Sequence, residues 1–239
     1  MSPEVVVDKP ADLAALLARR IEATAAGAFR DHDHFALALP GGSVAAAFLP
    51  VLGRAAVEWA RADLFWCDER AVAHDDPDSN YGLAWSVWLK GAGLSPALVH
   101  RIPADFPDLE AAAQQYEAAL VERLGSPPRL DVALLGVGPD GHVGSLFPGH
   151  PLLHEERRFV APVRDSPKLP IKRLTLTLPA LAAAGLVVVA AFGEEKAAVL
   201  SEALRNPRSR LPVALALQRS ARSLVLVDQA AASALQRPS

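Results

Sequence analysis

The sequence predicts an α/β fold with a mainly parallel open sheet and helices on both faces, and three observations predict it. Short β-branched or apolar runs alternate with alanine-rich amphipathic stretches, the pattern of parallel strands joined by crossover helices. Several of those runs end directly in glycine-rich or charged loops, and open α/β sheets bind ligands at the carboxyl ends of their strands. The chain has 239 residues, 51% hydrophobic and 21% charged, enough to bury one large core. No internal repeat, low-complexity linker or break in composition divides it. A single Rossmann-like domain over residues 1–239 is therefore expected.

Each element is justified in turn. Val5–Val7 begins the series of strands, and Ala11–Phe29 follows as an amphipathic helix. Phe35–Leu39 reads as a strand, and Ser43–Ala60 as a helix bent or broken at Pro50. Leu64–Cys67 is a short buried strand that runs into Asp68-Glu69-Arg70. The polar stretch His74–Asn80 is a loop, in which Asp78 or Ser79 caps a helix reaching about Lys90. A strand near Leu98–Ile102 and a helix at Leu109–Leu124 lead to the strand Leu130–Leu135. Strands are expected near Arg158–Val163, Arg173–Leu178 and Leu186–Phe192, then a helix from Glu194 to about Leu204. A last strand at Ser223–Val227 completes the sheet.

Composition excludes several classes of function. A formal charge of −3, without a basic tract or RNA-binding signature, argues against nucleic acid and membrane surfaces as partners. One cysteine, Cys67, allows no internal disulfide, and it reads as a small buried hydrophobe. The histidines at 32, 34, 74, 100, 150 and 154 show no metal-ligand spacing. Of these, His150 is a candidate for a pocket rim. The uncharged windows Ala36–Gly53 and Leu174–Phe192 are both broken by proline, so neither reads as a membrane span. The amino-terminal residues lack a basic stretch followed by an apolar signal core. A cytoplasmic protein is expected.

The chemistry concentrates in loops. Leu130–Leu135 runs into Gly-Val-Gly-Pro-Asp-Gly-His, which presents Asp140 and His142 with one glycine between them. An imidazole beside a carboxylate is a candidate general base, because its ordinary pKa lies near neutrality. Gly136, Gly138 and Gly141 also satisfy the spacing of a dinucleotide fingerprint. Asp140 would repel a pyrophosphate, however, and the prolines after Ser145 forbid the long helix that would bind one. Pro40-Gly41-Gly42-Ser43 joins a strand to a helix start, a turn suited equally to ordinary capping and to anion binding. Asp68, Glu69 and Arg70, taken alone, favour a solvated surface turn. Arg173, after the basic segment Lys168–Lys172, and Lys196, at a helix start, are each a candidate phosphate ligand or an exposed cation.

The order of these pieces is more specific than any one of them. Asp68-Glu-Arg70, Asp78-Ser-Asn-Tyr81 and Gly138-x-Asp-Gly-His-x-x-Ser-Leu-Phe-Pro-Gly149 occur in succession, together with Arg173-Leu-Thr and Gly193-x-x-Lys196. Over roughly residues 5–230 this succession resembles the 6-phosphogluconolactonase family. Val143-Gly144 departs from the small or hydroxylated pair common in that family. Related glucosamine-6-phosphate deaminases share the Asp-Gly-His loop but carry an acidic residue in an Asn-Glu-Pro context after it, where this chain has Ser145-Leu-Phe-Pro148.

The resemblance implies a sugar-phosphate isomerase type of fold and hydrolysis of 6-phospho-D-glucono-1,5-lactone, with no metal or organic cofactor. It implies His142 as the base acting on water, with Asp140 orienting the ring or binding sugar hydroxyls. Arg70 would stabilise developing negative charge, with Asp68 holding Arg70 or a hydroxyl. Gly41, Gly42, Ser43, Arg173 and Lys196 would grip the phosphate. The expected partner is a small phosphorylated sugar lactone, and the expected state a monomer or a weak homo-oligomer. Two other readings are a glucosamine-6-phosphate deaminase, which would release ammonia, and a sugar-phosphate-sensing module, which would bind without turnover.

Overall fold

The computed structural model describes residues 2–235. Six strands form one wholly parallel sheet: β1 (Glu4–Val7), β2 (Phe35–Leu39), β3 (Ala62–Trp66), β5 (Val132–Gly136), β8 (Leu186–Ala191) and β9 (Ser223–Val227). Their order is β1-β9-β8-β5-β2-β3. Every residue of β2 and β3 is buried, which requires cover on both faces of the sheet. Helices α1 (Pro10–Asp31), α2 (Gly42–Leu52) and α3 (Asn80–Val87) pack in succession, and α5 (Leu178–Ala183), α6 (Ala197–Arg205) and α7 (Pro212–Arg219) form a second group. α4 (Leu109–Leu124) packs against the strand β6 (Val160–Val163). α1 buries Leu13, Leu17, Ile21, Ala25 and Ala28, spaced three or four apart, and Pro10 stands in its first turn, where a missing N–H costs nothing.

The strand order places the site. After β2 the chain moves to β3 on one side, whereas β5 lies on the other side of β2 and leads to β8 and β9. The loops leaving β2 and β5 therefore diverge and open a crevice at the carboxyl ends of these neighbouring strands. One wall of that crevice is a second sheet. One residue beyond β3, β4 (Asp68–Arg70) pairs antiparallel with β7 (Arg173–Leu176), which pairs antiparallel with β6. The amide of Leu176 donates to the Cys67 carbonyl at 2.8 Å and ties this sheet to the end of β3.

Several boundaries differ from the sequence reading. The helix expected over 43–60 stops at Leu52, with Pro50 in its last turn. The chain turns sharply at Gly53, where a Cβ would stand 2.4 Å from the Trp88 ring. The strand expected near 98–102 shrinks to one bridge, Leu64 to Val99, because the 3-10 turn at Pro96–Leu98 takes the amides of Leu98 and Val99 for the carbonyls of Ser95 and Pro96. The runs 158–163 and 173–178 do form strands, but in the small antiparallel sheet. Residues 194–196 make a 3-10 turn before α6 begins at Ala197. α5 and α7 are short helices beyond those expected, each with a proline in its first turn. Ser79, rather than Asp78, caps α3, accepting from the Gly82 amide at 3.0 Å.

Candidate active site

The crevice is an open cleft walled largely by polar groups. Gly41, Gly42, Ser43, Asp68, Arg70, His142, Arg173 and Lys196 all line it, and Asp140 reaches it through His142. The loop after β5 doubles back on itself through bridges from Val137 to Val143 and from Val143 to Leu146. No long helix follows it, so the dinucleotide spacing is a coincidence of glycines. Gly138 is needed for close approach: a Cβ there would stand 2.0 Å from His142 Cε1 and Nδ1.

His142 Nδ1 lies 2.5 Å from Asp140 Oδ1, and the ring rests on Phe147 at 4.9 Å between centroids. An ionised carboxylate only accepts, so Nδ1 carries the hydrogen and the lone pair is on Nε2. Nε2 makes no hydrogen bond with any described residue. Burial holds the His142 pKa below its ordinary value, against the opposing pull of Asp140. Lys168 Nζ also approaches, 3.2 Å from both Asp140 Oδ1 and His142 Nδ1. Asp140 stays below the usual carboxylate range through its hydrogen bonds to His142 and Lys168, despite partial burial.

The Asp68-Glu69-Arg70 turn is not solvated. Asp68 and Glu69 are 6% and 4% exposed, which corrects the surface-turn reading. Glu69 accepts from the amides of Arg70, Asn80 and Tyr81, each at 2.8 Å, and from the Ser79 hydroxyl at 3.0 Å. It thus folds the 79–81 turn back onto β4. Burial raises the Glu69 pKa even so. Asp68 does not hold Arg70. It accepts from the Ser145 hydroxyl at 2.7 Å and from Asn80 Nδ2 at 3.1 Å. Arg70 instead donates from Nη1 to the Asp78 carbonyl at 2.6 Å, and its buried Nε has no partner among the described residues. Asn80 presses so closely on Gly41 that a Cβ there would meet Asn80 Oδ1 at 1.9 Å.

Positive charge gathers at the same place. Arg70 and Arg173 are directly opposed in the β4–β7 register. Like charges across a strand pair repel, and a bound anion relieves that cost. Arg173 is 4% exposed and already donates to the carbonyls of Lys168, Leu169 and Pro170, which narrows what it can offer a ligand. The first-turn amides of α2 follow Gly41 with no side-chain cap, and they carry the partial positive charge of a helix start. Lys196 lines the cleft while pairing with Glu195 at 2.5 Å. Cys67 donates to the Leu134 carbonyl, and burial pushes its thiol well above the ordinary range, so it is no nucleophile.

His150 is not on the rim: it caps the turn at Pro151–His154 and pairs with Asp165 at 3.0 Å. Among the described residues, no group of three or more His, Cys, Asp or Glu could hold a metal ion. No helix of the described residues is long and apolar enough to cross a membrane. Sequence reasoning missed Glu69, Asn80, Ser145 and Lys168 as organisers of the site. Glu69, Asn80 and Ser145 fall within the Asp68-Glu-Arg70, Asp78-Ser-Asn-Tyr81 and Gly138–Gly149 motifs and Lys168 within the basic segment 168–172, but no motif gave them these roles.

A family model for glucosamine-6-phosphate isomerases/6-phosphogluconolactonase matches residues 8–226. A 6-phosphogluconolactonase of Rattus norvegicus is 40% identical over 241 residues, covering 98% of this chain and 93% of that protein. One of Homo sapiens is 41% identical over 236 residues, covering 95% and 90%. The solved 6-phosphogluconolactonase from Trypanosoma cruzi superposes with a TM-score of 0.87 at 26% identity, over 99% of both chains.

Proposed function

This chain belongs to the glucosamine-6-phosphate isomerase/6-phosphogluconolactonase family, and we propose the activity within it that the cleft supports best. The chain hydrolyses 6-phospho-D-glucono-1,5-lactone to 6-phosphogluconate, a step of the pentose phosphate pathway. The single observation that carries the reading is the Asp140–His142 pair with Nε2 unpartnered in a cleft that also gathers two opposed arginines, a lysine and a helix start. A lactone is an activated ester, so water can attack it without a covalent intermediate. His142 Nε2 takes the proton from water as the new C–O bond forms at the carbonyl carbon. The tetrahedral oxyanion then collapses, the bond to the ring oxygen breaks, and Nε2 returns the proton to that oxygen.

Arg70 stabilises the charge that develops in the oxyanion, with its unpartnered Nε held in readiness. Asp68, held by Ser145 and Asn80, takes a sugar hydroxyl. The amides of Gly41, Gly42 and Ser43, with Arg173 and Lys196, bind the phosphate, and that remote binding energy fixes the carbonyl relative to the water. We read the chain as one domain acting as a monomer in the cytoplasm, with the phosphorylated lactone as its partner. The test is turnover of freshly generated lactone in a coupled assay, corrected for spontaneous opening. Ammonia release from glucosamine 6-phosphate would favour the deaminase reading instead.

A further inference from the structure

A base needs an unprotonated lone pair at working pH, and the Asp140–His142 pair by itself works against that. A carboxylate 2.5 Å from an imidazole favours the imidazolium, which would leave the ring charged and idle. Burial of the ring is the largest opposing effect, and a second charged group adds to it. Lys168 Nζ stands 3.2 Å from the same Asp140 oxygen and 3.2 Å from the same ring nitrogen. An ammonium has only donors, so it hydrogen bonds Asp140 while the hydrogen of Nδ1 keeps the shorter contact to that carboxylate.

The placement of Lys168 is built in. Its loop is held from below by Arg173, which donates to the carbonyls of residues 168, 169 and 170, and by Ser166, whose hydroxyl donates to the Lys168 carbonyl and accepts from its amide. We propose that Lys168 is a positioning residue for the reaction: it neutralises Asp140 locally, so that the pair rests as carboxylate beside neutral imidazole with the Nε2 lone pair facing the cleft. When Nε2 has taken the proton from water, the same ammonium makes the imidazolium a stronger acid and speeds return of that proton to the departing ring oxygen. The groups facing His142 are Asp140 on its own loop, Lys168 from the loop before β7 and Asp68 from β4, with Arg70, Arg173 and Lys196 across the cleft. Burial and Lys168 oppose charging of the ring, whereas Asp140 and Asp68 promote it.

This inference rests on His142 acting as the base, and the experiment separates the two. Protein with 15N-labelled histidine is titrated by NMR, with His142 assigned by its absence from His142→Gln. Wild type shows the Nδ1–H tautomer and a midpoint below the ordinary histidine value of about 6.5. Lys168→Met and Lys168→Gln each raise that midpoint by about one pH unit, the usual span of environmental shifts. They also move the acid limb of kcat/KM by the same amount and lower kcat at pH 6.5 by about two- to fivefold, the share of neutral imidazole that a one-unit rise removes there. Lys168→Arg retains most of the wild-type profile. An unmoved midpoint in both neutral variants overturns the role of Lys168. A moved midpoint with an unmoved acid limb supports the coupling but removes His142 from the rate, a failure of the functional reading instead.

Discussion

A single hydrogen decides whether His142 can work. The contact to Asp140 places it on Nδ1, and burial keeps Nε2 free of a second proton at neutral pH. Because the folded pKa lies below the unfolded one, kcat/KM should climb with pH to a plateau already reached at neutrality, with an acid limb below about pH 6.5. The linkage has the same sign: any stability His142 contributes is complete above the unfolded value and is lost as pH falls below it. A pH–rate profile with its acid limb above 7 would contradict this picture. The Asp140–His142 pairing was legible in the sequence, since one glycine separates the two residues on a strand-end loop. Lys168 was not legible, because it meets them from 28 and 26 residues away, a contact set by the loop that Arg173 holds.

At the scale of elements, the 68–70 strand and the 79–81 turn form one unit, and Glu69 joins them. Replacing Glu69 with alanine leaves three amides and a hydroxyl without their acceptor. At about 1–3 kcal/mol for each buried donor left unmet, the loss should reach about 3 kcal/mol or more by urea denaturation. A loss under about 1 kcal/mol would show that water replaces the carboxylate readily. The alternation of strands and helices was readable because apolar runs and amphipathic periods are local properties. Membership of the second sheet was not, since β6 and β7 have the same apolar content whichever sheet accepts them. Arg70 and Arg173 face each other only because β4 leaves the parallel sheet one residue beyond β3. A turn that looked like solvated charge in one dimension is therefore buried wall in three.

For the whole molecule, the order of strands converts loops far apart in sequence into one cleft. The strand-end rule predicted where a ligand would bind, and the succession of motifs predicted which loops would meet there; the distances among them required the fold. Ligand binding should therefore brace the entire structure. At 6-phosphogluconate concentrations near 100 times Kd, linkage adds about 2.7 kcal/mol, which for a chain of this size is a rise in Tm of about 5–10 °C. Lys196→Ala should lose most of that rise at the same concentration, and a rise equal to wild type would remove Lys196 from the phosphate site.

The central claim is that His142 drives water onto the lactone, and one comparison tests it most directly: the rate of freshly generated 6-phosphogluconolactone hydrolysis by wild type and His142→Ala, each corrected for spontaneous opening. The account predicts rapid turnover by wild type and a kcat about 10²–10⁴-fold lower in the variant, the usual contribution of a positioned general base. A variant that turns over at nearly the wild-type rate would contradict it.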